Sequence, residues 1–231
     1  MMLDILHQYG VMFLIGSWPN GPIGGFAATL ILAGLGLALS FPIAVILGLA
    51  RLSPIKPLRW AASAWVIAFR GVPLVMIIFW AYFVVPLLTG TTVPAFLTAL
   101  CAIVAYESAF LAEIVRAGIQ GLPGGQTEAA RASGLSYAQT MRHVVLPQAL
   151  TNMLPSLVNQ FVSTIKATSI VYVIGVNEVT FAAQQVNSIE LTHALQTYLI
   201  LAGFYFAACY ALSQLAQGLE RRLAKRRLGL A

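Results

Sequence analysis

Asn152, Ser156, Asn159, Ser163 and Lys166 recur at steps of four, three, four and three. That spacing sets them on one face of an α-helix. Gln160 and Thr164 widen the stripe, and the remaining positions around it are largely apolar. A polar stripe in a membrane helix must face protein or water, because lipid offers no hydrogen-bond partners. Each residue alone reads equally as helix–helix glue, a role Asn and Ser often fill. As a set they read as one wall of a path for a polar solute. A lysine at a helix centre costs about 2.5–3.5 kcal/mol to insert, so Lys166 requires a partner or a water-filled cavity. It is expected either to attract a carboxylate of the solute or to pair with Glu107 or Glu113.

Other chemistry is sparse. Glu113 and Arg116 are three apart and can pair on one helix face. Arg70 precedes Gly71 and Pro73, which suggests a kinked entry to a span. His7, His143 and His193 are scattered and read as interfacial or loop residues. Cys101 and Cys209 lie in apolar runs with no metal-ligand spacing. No Gly-Lys pair occurs anywhere, so the chain lacks a phosphate-binding P-loop of the Walker type, and neither HExxH nor GxSxG is present.

The elements that carry these residues follow from composition. The 231 residues are 59% hydrophobic and 9% charged, with a mean hydropathy of +0.85. Soluble domains carry about 25% charged residues, so the bilayer is the expected solvent. Five apolar spans are predicted near residues 26–50, 60–88, 94–117, 146–176 and 194–215. The small residues Gly34, Gly36, Ala38 and Ser40 suit close packing of the first. Residues 4–18 are too short to span and read as an amphipathic lead-in at the interface. With Asp4 and no Lys or Arg before Arg51, this segment does not read as a cleavable signal peptide.

Charge gives the orientation. The net charge of +6 raises nucleic acid as a partner, but the basic residues sit between spans and at the C-terminus. Arg51, Lys56 and Arg59 share a side with Arg116, Arg131 and Arg142 and with Arg221, Arg222, Lys225, Arg226 and Arg227. The connectors 88–93 and 177–193 hold no Lys or Arg. The asymmetry predicts an N-terminus outside and a C-terminus in the cytosol. The expected organisation is an extracytoplasmic segment over 1–25, a membrane domain over 26–217 and a basic cytosolic tail over 218–231.

The longest connector, about 118–145, is expected on the cytosolic side. Pro123-Gly124-Gly125 is expected to stop what precedes. Thr127 is expected to cap a short helix over 128–133, with Glu128 at its positive end. Gly134 is placed to end it in a left-handed conformation. Ser136-x-x-Gln139 reads as a capping box opening a helix toward Pro147, where the missing N–H forces a kink or restart. The resulting elbow is expected to expose Ala129, Ala130, Leu135 and Tyr137.

Glu128-Ala-Ala-x3-Gly134-x9-Val144-x-Leu146-Pro147 resembles the EAA motif of permease subunits in bacterial ABC importers, with Val144 where isoleucine is usual. Phe69-Arg-Gly-Val-Pro-Leu74, Ala112-Glu-Ile-Val-Arg-Ala-Gly-Ile119, Leu146-Pro-Gln-Ala-Leu150 and Val173-Ile-Gly-Val-Asn-Glu178 resemble the polar amino-acid branch. Val72-Pro-Leu-Val-Met-Ile77 and Thr168-Ser-Ile-Val-Tyr172 lean toward glutamate/aspartate permeases. Relatives often carry aspartate after the lysine, where this chain has Ala167.

The resemblance implies an all-α membrane protein of the bacterial inner membrane with the type I importer (MetI-like) fold. It implies two cytosolic ATPase subunits that bind ATP and magnesium, and a second permease, identical or homologous. It also implies an extracytoplasmic amino-acid-binding protein. This chain would hold no cofactor, metal or catalytic residue. Glu128, Ala129, Ala130, Gly134 and Leu135 would couple to the ATPase. Lys166, Asn159, Ser163, Asn152, Thr168 and Glu107 would line the path. The rival class is an ATPase-independent channel or secondary transporter using Lys166 and Glu107 as a charge relay. A membrane scaffold without transport is a third reading.

Overall fold

A computed structural model describes residues 2–227, with side chains as far as Gly218. The chain is helical, with no strand among the described residues beyond two isolated bridges, Gly16 with Ile23 and Gly25 with Glu178. In order the helices are α1 (Met2–Ile15), α2 (Gly25–Arg51), α3 (Lys56–Gly71), α4 (Leu74–Phe79), α5 (Val85–Thr89), α6 (Ala95–Gln120), α7 (Gly124–Ala132), α8 (Tyr137–Thr140), α9 (Leu146–Ala167), α10 (Val179–Ile189) and α11 (Ala194–Arg227). Four stretches are long and apolar enough to cross a membrane: Gly25–Arg51, Ala95–Gln120, Tyr137–Ile174 and Ala194–Gly218. α1 is apolar but too short to span.

The expected second span is broken. Lys56–Gly71 and Leu74–Thr89 together have the length and composition of a span, but they meet at 103°. The break falls at Arg70-Gly71-Val72-Pro73, where the residue before proline is driven out of the helical region. Val72 is accordingly extended.

Prolines mark several other boundaries. Pro73, Pro94 and Pro123 stand immediately before α4, α6 and α7, positions where a missing N–H is harmless. Pro86 and Pro147 act differently. Each follows a π-turn, Trp80–Val84 and Met141–Val145. The residue before each proline bonds back five positions, Val85 to the Trp80 carbonyl and Leu146 to that of Met141. The proline ring crowds the carbonyl four residues back, and the wider turn relieves that clash. The helix opened by the capping box therefore bulges at Pro147 and runs on to Ile174.

α2 and α6 form the central pair. Their contact runs along Leu32, Gly36, Ser40, Ala44 and Gly48, all buried at steps of four. A Cβ on Gly36 would meet the Ile103 side chain at 2.8 Å, and one on Gly48 the Val115 side chain at 2.8 Å. Gly34 and Ala38 point away from this seam, so the small-residue series packs on a four-residue period rather than as a continuous run.

Three apolar clusters stack along the chain. One joins α2, α4 and α6 to the 3-10 turn Thr168–Ile174 around Ile78 and Ile103. A second gathers α2, α3, α6 and α9 around Leu111 and Val115. The third seats α1 on α10 and α11 through Ile5, Phe13, Val179 and Val186. The basic residues of the tail fall on side chains outside the described residues.

Candidate functional site

The predicted polar stripe emerges as one surface. Asn152, Ser156, Asn159, Ser163 and Lys166 are all exposed on α9, while Ala149, Met153, Leu157, Thr164 and Ile165 are buried against the rest of the chain. Pro155 lies within this helix and interrupts its hydrogen-bond ladder midway along the stripe. Gln160 and Thr164 turn inward instead of widening the exposed face. Gln160 donates its amide to Glu107 Oε2 at 2.8 Å, and Thr164 donates to the Gln160 carbonyl at 2.9 Å.

This geometry corrects three expectations. Glu107, 1% exposed, lies behind the stripe rather than on it. Thr168 is fully buried and donates to the Ile165 carbonyl at 2.7 Å, so it too is absent from the exposed face of α9. Lys166 forms no ion pair with Glu107 or Glu113; among the described residues no carboxylate lies within salt-bridge range of it. The Lys166–Glu107 relay therefore has no direct contact to run through.

Glu113 is taken up elsewhere. Its carboxylate pairs with Arg51, the last residue of α2, and with Arg116 one turn along α6. Arg70 stands 3.7 Å away, its guanidinium also lying 5.4 Å from the centre of the Phe110 ring. Beside this cluster a cleft of about 350 Å³ is lined by Glu113, Gly118, Asn152, Met153 and Ser156. The stripe thus begins where the ion pairs end. Arg51 is a member of the cluster as well as a charge marker at the end of a span.

The elbow is built largely as its residues dictate. Ser136 and Gln139 form the reciprocal capping box, with N–H to side-chain oxygen distances of 3.3 and 2.9 Å. Gly134 takes φ +83°, a left-handed conformation open to glycine without a Cβ clash. Leu135 N–H then bonds back to the Ala130 carbonyl at 3.2 Å. Two details differ. The helix starts at Gly124, not after Thr127, because Pro123 with its preset φ initiates it and Gly124 and Gly125 continue into the first turn. Ala130 is 8% exposed and props the elbow from within. Glu128, Ala129, Gly134 and Tyr137 face outward, and Leu135 is half-buried.

The residue that sequence reasoning passed over as chemistry is Glu178. It is fully buried at the N-terminus of α10, accepting from the Thr180 and Phe181 N–H groups at 2.9 Å each and from the Tyr205 hydroxyl at 3.0 Å. Thr29 of α2 reaches the same carboxylate at 3.4 Å and accepts from the Val179 N–H at 3.2 Å. Burial pushes the Glu178 carboxyl above the ordinary carboxylate range, against the N–H donors that hold it down. An acidic residue immediately before a short helix was the available signal. Nearby, Tyr9 donates to Glu190 at 3.0 Å, and His193 lies 3.3 Å from the same carboxylate.

Fold and surface together define a multi-pass membrane subunit that presents a polar helix face and a helical elbow. Sequence comparison gives the family. Residues 40–225 match the "Binding-protein-dependent transport system inner membrane component" family. The chain is 39% identical to the probable glutamine ABC transporter permease protein GlnM of Bacillus subtilis, over 87% of this chain and 92% of that one. It is 34% identical to the glutamate/aspartate import permease protein GltK of Escherichia coli, over 77% and 82%. A crystal structure of an amino acid ABC transporter with histidines superposes with a TM-score of 0.85 at 33% identity, covering 96% of this chain and 98% of that one. The chain belongs to this family: it is an inner-membrane permease subunit of the ABC importers, with the type I importer fold, in the branch of the amino-acid permeases. Such subunits work in a complex with ATPase subunits and a binding protein.

Proposed function

We propose that this permease forms the translocation path for a polar amino acid, with the exposed face of α9 as its wall. One observation carries the reading. Five polar side chains, Lys166 included, share the outward face of a membrane-spanning helix and are exposed among the described residues. Lipid cannot satisfy them. A second permease, identical or homologous, facing the first across a water-filled path, does.

The orientation follows from charge, with the elbow cytosolic and α1 and α10 outside. Glu128, Ala129 and Gly134 form the contact with the ATPase subunit, seated on the inward Ala130. Two such elbows engage two ATPase subunits. ATP binding with magnesium draws them together, tilts the spans and opens the path outward to the loaded binding protein. Hydrolysis resets it. This chain transmits force and lines the route. The preferred cargo is an acidic amino acid, glutamate or aspartate. An exposed ammonium with no carboxylate in salt-bridge range among the described residues supports that choice, since it can hold the extra carboxylate.

The test is ATP hydrolysis by the complex purified from its native operon into nanodiscs. Hydrolysis stimulated by the binding protein with glutamate supports both class and cargo. Stimulation by glutamine alone moves the cargo to the neutral amide. A chain that purifies with no nucleotide-binding subunit contradicts the coupling reading. Gly134→Trp sharpens it. The left-handed backbone there costs a non-glycine residue about 1–2 kcal/mol, and nothing within 4 Å blocks the new side chain from the docking space. Transport is expected to stop while the protein still inserts.

A further inference from the structure

Glu113 is placed where three separate helix ends converge. Arg51 closes α2, Arg70 lies in the last turn of α3 at the 103° break, and Glu113 and Arg116 stand on α6 before it runs into the elbow. One carboxylate binds all three arginines. Guanidinium groups do not deprotonate in proteins, so without Glu113 three fixed positive charges would crowd one site and push those helix ends apart. The cluster is partly buried, with side-chain exposures of 15% for Arg51, 24% for Glu113 and 26% for Arg116, so solvent and salt screen it less than a surface pair.

The surrounding packing is stiff on one side and loose on the other. Gly48 of α2 lies against Val115 and the Ala112 carbonyl, locking α2 to α6 just beside Glu113. Gly118 lies so close to α9 that a Cβ there would meet Met153 Cβ at 3.0 Å. Arg70 is the loose member. It is 42% exposed and has the longest contact of the three.

We propose that Glu113 is the joint through which movement of the elbow reaches the bent α3–α4 pair, a positioning residue for transport rather than a contact for cargo. The elbow pulls on α6. α2 and the start of the α9 stripe follow through their glycine contacts. The Glu113–Arg70 pair closes or opens as the break is carried along or released. This inference rests on the coupling reading above.

The experiment uses the intact complex in nanodiscs with its ATPase subunits and binding protein. Glu113→Gln is expected to assemble and hydrolyse ATP at the basal rate, yet transport about tenfold less per ATP. Glu113→Asp is expected to recover most of that ratio. Arg70→Gln, at the exposed end, is expected to lower the ratio without lowering the yield of complex. Transport per ATP at the wild-type ratio in Glu113→Gln and Arg70→Gln overturns the proposal. So does a loss that only tracks the amount of assembled complex and is not recovered by Glu113→Asp. If Gly134→Trp also transports normally, the coupling reading has failed; if Gly134→Trp stops transport while Glu113→Gln does not, only the joint has.

Discussion

The Glu178 cluster and the outward face of α9 both hold polar groups in a chain built for lipid, and they are finished in opposite ways. Glu178 is enclosed, its carboxylate met by two backbone N–H groups, a tyrosine and a threonine from three parts of the chain. It fastens α10 to α2 and α11. The α9 face is open, and its Asn, Ser and Lys side chains wait for groups that the described residues do not supply. Polar residues completed internally are architecture, because leaving any one of them unpaired is expensive. Polar residues left open at membrane depth are a demand for a second molecule. The same chemistry therefore separates polar groups completed within the described chain from those left exposed.

The sharpest break in that comparison is Glu178→Ala. It strands two N–H groups and two hydroxyls and is expected to lower stability by about 2–4 kcal/mol, read as a drop in Tm in detergent. An unchanged Tm would dissolve the contrast. Lys166→Ala is expected to leave Tm in place and to cut uptake of acidic amino acids about tenfold, the size of one lost charge-assisted contact. Competition uptake in cells measures it, and unaltered glutamate uptake makes Lys166 structural. Asn159→Ala and Ser163→Ala are expected to shift stability by less than about 0.5 kcal/mol, as exposed sites do, and to slow uptake by a smaller factor. A large loss of stability from either would place them inside a packed seam.

The smallest effect concerns pH. The Glu178 carboxyl is raised above its ordinary value of 4.5. A raised carboxyl contributes its stability fully below the ordinary value and loses it as pH climbs through the raised one. Glu178 is therefore expected to add to a decline of Tm with rising pH over that interval, and Tm in Glu178→Gln is expected to fall less steeply than in the unaltered chain. A Tm that rises across it would reverse the sign of the argument.

Much of this was legible in the chain. Spacing alone put Asn152, Ser156, Asn159, Ser163 and Lys166 together, since a 3.6-residue period needs no tertiary knowledge. The capping box and Gly134 were equally local. What the sequence hid was direction across helices. Gln160 and Thr164 stand beside the stripe by period, yet face Glu107 because α6 packs on that side. Ala130 looks like its neighbour Ala129 and is turned inward by the same logic. Residues 60–88 read as one apolar span because hydropathy does not register a bend. Glu178 ends the run Val173-Ile-Gly-Val-Asn-Glu178, but its partners Thr29 and Tyr205 are distant in sequence.

The central claim is that the outward face of α9 meets water and a second permease, not lipid. Single cysteines placed at 152, 156, 159, 163 and 166, with Cys101 and Cys209 replaced by alanine, can be probed in the intact complex with a membrane-impermeant thiol reagent. Labelling is expected at these five positions, slowed by transported amino acid, and none at 153, 157 and 164. Protection of all five, with labelling only by a lipid-soluble reagent, would contradict it.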